Sequence, residues 1–98
     1  MRIGTTMAHE EGTPDAIRDT VRAIVATITE REPSEISESA HFVDDLGIDS
    51  LSAIELMVTV NRRYRIQILD EEFLSITSVS DAVAAVQRHL AADRGGAA

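Results

Sequence analysis

The chain has 98 residues, 44% of them hydrophobic, and a formal net charge of -8, which suffices for one small core and leaves no material for a second domain. An acidic surface repels phosphate backbones and anionic lipid, so nucleic acid and membrane are set aside as partners and basic proteins are favoured. The absence of cysteine excludes disulfides, thiolate metal sites and a thiol nucleophile of the chain's own.

Residues 1–12 carry no sustained period and are expected to form a loose leader, ahead of a single domain at 13–91 and a frayed tail at 92–98. Thr13 can cap a first helix, with Pro14 at its opening position and Asp15 and Asp19 near its positive end. Ile17, Val21, Ile24, Val25 and Ile28 then fall on one helical stripe, and the helix is expected to end before Pro33. From Glu32 to Ile48 neither a helical nor a strand period is visible. A connection of that length in so small a domain is expected to be packed down, with Ile36, Phe42, Val43 and Leu46 as apolar anchors, and to position something.

A second helix is predicted from about Ser50 to Tyr64. At about 100° per residue, Ala53, Leu56, Met57, Val60 and Tyr64 form one stripe, while Leu51, Ile54 and Val58 form another almost opposite. The first suits a core. The second is burial of a central helix on two sides, a set of ordinary scattered surface apolar residues, or a docking patch for partners beside Ser50. Arg62, Arg63 and Arg65 close this helix, where cations suit the carbonyl end of the dipole. Asp70 can cap a short third helix that points Phe73 and Ile76 inward, and Ser78 with Asp81 resembles a capping box for a last helix with the stripe Val79, Ala82, Val83, Val86 and Leu90. The expected fold is all-α: a four-helix bundle of three main helices and one short one, with a long loop between the first two.

The chemistry centres on the stretch Asp44-Asp45-Leu46-Gly47-Ile48-Asp49-Ser50-Leu51. Its carboxylates do not have the alternating spacing, sixth-position glycine and twelfth-position glutamate of an EF-hand, so no metal site is assigned. Ser50 lacks the glycine two residues later that a nucleophile elbow requires, and none of His9, His41 and His89 is placed by sequence as its base; His41, in the loop leading to Ser50, is the one to check. With Asp49 as N-cap, Ser50 becomes the first helical residue with its hydroxyl outward, at a helix end that also favours a phosphate ester. An exposed hydroxyl without a base, next to an apolar patch, describes a serine modified by another enzyme.

Asp45-Leu46-Gly47-Ile48-Asp49-Ser50-Leu51 resembles the phosphopantetheine attachment motif of acyl carrier proteins. The similarity extends from Ile17 to Leu90 and includes Phe42-Val43, Ile54-Glu55-Leu56, Asp70-Glu71-Glu72 and Thr77-Ser78-Val79. The resemblance implies that Ser50 receives phosphopantetheine from coenzyme A through a separate phosphopantetheinyl transferase, and that acyl groups then ride as thioesters. It implies transferase recognition by Asp49 and partner binding by Leu51, Ile54, Glu55 and Val58. It further implies that Phe42, Leu56, Val60, Ile68 and Ile76 line a core able to shelter the chain. Partners would be ketosynthases, acyltransferases and similar enzymes acting on a monomeric, cytoplasmic carrier that is not itself an enzyme.

Ser52, Arg62 and Arg63 stand where carriers of fatty acid synthesis usually have acidic residues, which favours a polyketide or other specialised pathway. Primary fatty acid synthesis stays open as the alternative, as does an unmodified helical adaptor with the same fold.

Overall fold

The computed structural model describes residues 12–97, with side chains as far as residue 92. The expected leader, and His9 within it, therefore lies outside the described residues apart from Gly12. All regular structure among the described residues is helical: α1 (Pro14–Thr29), a 3-10 turn (Pro33–Glu35), α2 (Ser50–Tyr64), α3 (Asp70–Phe73) and α4 (Val79–Ala97). The all-α bundle with a short third helix is thus the fold of this chain.

Helix α1 begins as its sequence dictates, with the Ala16 amide donating to Thr13 Oγ1 at 3.2 Å and Pro14 at the opening position. It stops at Thr29, because Glu30 takes a left-handed conformation (φ 57°) and turns its own amide back onto the carbonyls of Ala26 and Thr27. The helix therefore ends at its own cap, before Pro33 acts. Ile17, Val21 and Val25 are fully buried, each contributing about 1.5–3 kcal/mol of transfer free energy. They pack against both α2 and α4, so α1 is the spine of the bundle.

The connection from α1 to α2 is held down as expected, but not wholly by the expected residues. Ile36, Phe42 and Leu46 are buried, whereas Val43 is 58% exposed and the fourth anchor is Ile48. The reason is a tight turn at 41–48, in which the amide of Gly47 donates to Val43 O and that of Ile48 to Phe42 O. That turn places Phe42 and Ile48 inward and Val43 outward. Polar ties finish the job. Arg18 Nε donates to Glu38 Oε1 at 2.7 Å, Arg22 Nε to the Ile36 carbonyl at 3.0 Å, the Phe42 amide to Thr77 O at 2.7 Å and the Ser80 amide to Glu38 O at 2.9 Å. The loop is fastened to α1 and to the start of α4.

Three further details differ from the sequence expectation. Asp70 is the first residue of α3, not its cap; Leu69 holds the cap position without a side-chain acceptor, and Asp70 contributes its charge to the helix start. At α4 the box is half formed: the Asp81 amide donates to Ser78 Oγ at 3.3 Å, but the Asp81 carboxylate accepts from the amide and hydroxyl of Thr77, both at 3.0 Å. Helix α4 also continues past Leu90 to Ala97. No proline stops it there, and Ala91 and Ala92 favour helix. Glu72 fixes α3 to α4, accepting from Arg88 Nη2 at 3.0 Å and lying 2.8 Å from His89 Nε2.

Candidate functional site

Three pieces of chain converge on Ser50. The first is the turn at 41–48, whose organiser is His41. Its Nδ1 accepts from the amides of Val43 (3.2 Å) and Asp44 (3.0 Å), while Asp45 Oδ2 accepts from the His41 amide at 2.7 Å. An imidazole nitrogen that accepts two amide protons carries none itself, so the ring proton is assigned to Nε2. The 3.7 Å approach of Asp44 to the same Nδ1 is then a contact, not an ion pair. His41 acts as a side-chain cap with a reciprocal carboxylate, the chemistry usually supplied by serine and glutamate. It is no base for Ser50.

Gly47 closes the turn with φ 69°, a left-handed conformation that an L side chain adopts only at a cost. Neither the left-handed role of Gly47 nor the cap role of His41 follows from the spacing of the motif. The signal for both was local: a residue able to accept at 41, an acid four positions on, and a glycine just past the last turn.

The second piece is the start of α2. Asp49 is extended (φ -90°, ψ -177°) and its Oδ1 accepts from the Ser52 amide at 2.8 Å, as an N-cap should. Hydrogen bonds from Ser52, the backbone one foremost, hold the Asp49 carboxyl below the usual carboxylate range. Ser50 follows as the first residue of the helix and is exposed. Asp44, Asp45 and Asp49 do not converge: Asp45 and Asp49 serve separate amides, and no group of three or more potential metal ligands forms among the described residues.

The third piece is an apolar cleft of about 480 Å³ that Ser50 borders. The buried Phe42, Ile48 and Ile76 line it, with Ala53, Met57 and Phe73 from α2 and α3. Of the residues that the resemblance placed along such a space, Phe42 and Ile76 face the cleft, whereas Leu56, Val60 and Ile68 are packed into the closed core and do not line it.

Helix α2 separates its faces as its periodicity predicts. Leu56 and Val60 are buried; Leu51 is 68%, Ile54 53% and Val58 40% exposed, with Glu55 exposed beside them. These three apolar side chains stand out from the bundle and are not the second buried face of a central helix. No helix among the described residues is long and apolar enough to cross a membrane.

The family model described as "Phosphopantetheine attachment site" matches residues 19–86, which takes in the turn, Ser50, α2 and α3. The chain belongs to the acyl carrier protein family. It is 39% identical over 82 residues to the acyl carrier protein of Rhodococcus erythropolis, covering 84% of this chain and 87% of that one. It is 41% identical over 68 residues to the meromycolate extension acyl carrier protein of Mycobacterium tuberculosis, covering 69% of this chain and 59% of that longer protein. Among solved structures, the apo doublet acyl carrier protein from prodigiosin biosynthesis superposes with a TM-score of 0.66 at 25% identity, over 76% of this chain and 36% of that one. Members of the family are carriers that bear phosphopantetheine, not enzymes.

Proposed function

We propose that this acyl carrier protein is loaded at Ser50 and delivers acyl intermediates to enzymes that dock on α2. The observation that carries this is the exposed Ser50 hydroxyl at a capped helix start, bordered by an apolar cleft. The group supplies what the chain lacks, a thiol on a long arm that holds acyl groups as thioesters.

The residues present fit that group. The positive end of α2 favours the negative charge of a phosphodiester at Ser50. Asp49 stays ionised and exposed, which suits recognition by a phosphopantetheinyl transferase, since that enzyme has to bring the metal and the base that this chain does not supply. Leu51, Ile54 and Val58 offer apolar area for docking and Glu55 a charge beside it. The cleft walls of Phe42, Met57, Phe73 and Ile76 exclude water from an apolar chain placed there.

For the pathway we favour dedicated, specialised metabolism such as polyketide assembly, with ketosynthases and acyltransferases as partners and a cytoplasmic setting. Arg62 and Arg63 at the far end of a docking helix whose one acidic residue is Glu55 support a carrier matched to particular enzymes. Two relatives point the same way: the prodigiosin and meromycolate carriers are each named for one pathway.

Intact mass after incubation with coenzyme A and a broad-specificity transferase tests the reading. Wild type is expected to gain one phosphopantetheine and Ser50→Ala none. A wild type that gains nothing would leave a helical adaptor, and a loaded Ser50→Ala would move the site elsewhere.

A further inference from the structure

The exposed stripe on α2 does not end at Val58. Four residues later, one turn further along the same face, comes Arg62. It is exposed, and no ion pair joins it to a carboxylate of the described residues, unlike Arg18, which has two, and Arg22 and Arg88, which have one each. The helix dipole asks for a cation in the last turn, but Arg63, on a different face, answers that equally well. The dipole therefore does not account for an arginine at the end of this particular stripe.

At the other end the exposed charges have the opposite sign: Asp44, Asp45 and Asp49 lie on the turn and cap that lead into Ser50, while Glu55 sits further along, between Ile54 and Val58. The face thus runs from negative through apolar to positive. At about 1.5 Å per residue, the positive end lies roughly 18 Å along the helix from Ser50.

We infer that Arg62 is a specificity-determining residue, and that the enzymes served by this carrier present a matching face. That face has a cationic rim at the entrance for the arm, an apolar middle for Leu51, Ile54 and Val58, and an aspartate or glutamate about 18 Å from the entrance opposite Arg62. An enzyme whose docking face is basic along its whole length meets Arg62 with like charge and is rejected. This rests on the carrier reading above and adds to it the charge pattern of the partner.

The experiment loads wild type, Arg62→Gln and Arg62→Glu with a pantetheine analogue bearing a cysteine-reactive end. Cross-linking rates are then measured to two purified ketosynthases, one with a wholly basic docking face and one with a carboxylate at the stated distance. Arg62→Glu is expected to speed reaction with the first roughly fivefold and slow it with the second by a similar factor, with Arg62→Gln between. Both differences should shrink in about 0.5 M salt. Because one arm is a gain, misfolding cannot imitate the result. Equal rates for the three proteins, or a shift in the same direction with both enzymes, would overturn the role of Arg62. Failure of the wild type to take up the analogue, seen by intact mass before cross-linking, would instead overturn the carrier reading.

Discussion

Asp49 caps α2 with its carboxylate, and its hydrogen bonds tie that cap to pH. The bond from the Ser52 amide lowers its pKa in the folded state, so its contribution to stability is full at neutral pH. That contribution is lost as pH falls from the ordinary carboxylate range through the lower folded value. Glu72, lowered chiefly by its hydrogen bond to His89, acts in the same sense. Asp49→Asn keeps a neutral acceptor at the cap and is expected to retain most of the melting temperature at pH 7 while flattening the loss toward about pH 3. Asp49→Ala should lower the melting temperature already at pH 7. Thermal unfolding across that pH range checks both, and an unchanged acid slope in Asp49→Asn would mean the cap is not a source of it. Gly47 is the other residue with a single answer. A Cβ there meets no atom within 4 Å, so space is not the obstacle; φ 69° is. Gly47→Ala should cost about 1–2 kcal/mol in denaturant unfolding, and a smaller cost would mean that the turn relaxes.

At the level of elements, α2 combines a buried face with a free one, and substitutions should separate them. Val58 is 40% exposed on the free face, so Val58→Glu is expected to leave helicity unchanged and stability within about 0.5 kcal/mol. It should also leave loading at Ser50 intact while slowing acyl transfer to partner enzymes. A fall in circular dichroism signal or a cooperative loss of stability would show Val58 to be core. The helices were legible because their stripes are long: Ile17 to Ile28 and Val79 to Leu90 each repeat the period often enough to leave no other reading. The turn at 41–48 was not. Its apolar residues are too few to reveal a period, so the sequence does not distinguish Val43, which is exposed, from Ile48, which is the anchor. The same limit hid the cap role of His41, which depends on hydrogen bonds between near neighbours and not on any repeat. The end of α1 is hidden for a different reason. Glu30 adopts a left-handed φ of 57° without being glycine or asparagine, so no stop residue marks it, whereas α2 ends at Tyr64 as its stripe predicts.

For the molecule as a whole, the charge that suits docking works against compactness. The net charge of -8 is carried by 17 acidic and nine basic residues. Several of the arginines already neutralise specific acids: Arg18 bridges Asp15 and Glu38, and Arg88 meets Glu72. The remaining acids include Asp44, Asp45, Asp49, Glu55, Asp70 and Glu71, all exposed on α2, α3 and the turn before α2. Salt acts on both populations in opposite directions. It weakens the surface pairs, which are worth about 0–1 kcal/mol each, and it relieves the repulsion among the unpaired acids. With the acids in such excess, relief should win. Raising sodium chloride at pH 7 is therefore expected to raise the melting temperature, by about 4–8 °C for each kcal/mol recovered in a domain of this size. The rise should shrink as pH approaches the sequence pI of about 4.7, where the net charge vanishes and only the screened pairs remain. Melting curves over a grid of salt and pH separate the two effects. A melting temperature that falls with salt at pH 7 would mean that the bridges from Arg18 and Arg88 outweigh the repulsion. A rise that persists undiminished near the pI would place the salt effect on apolar burial and not on charge.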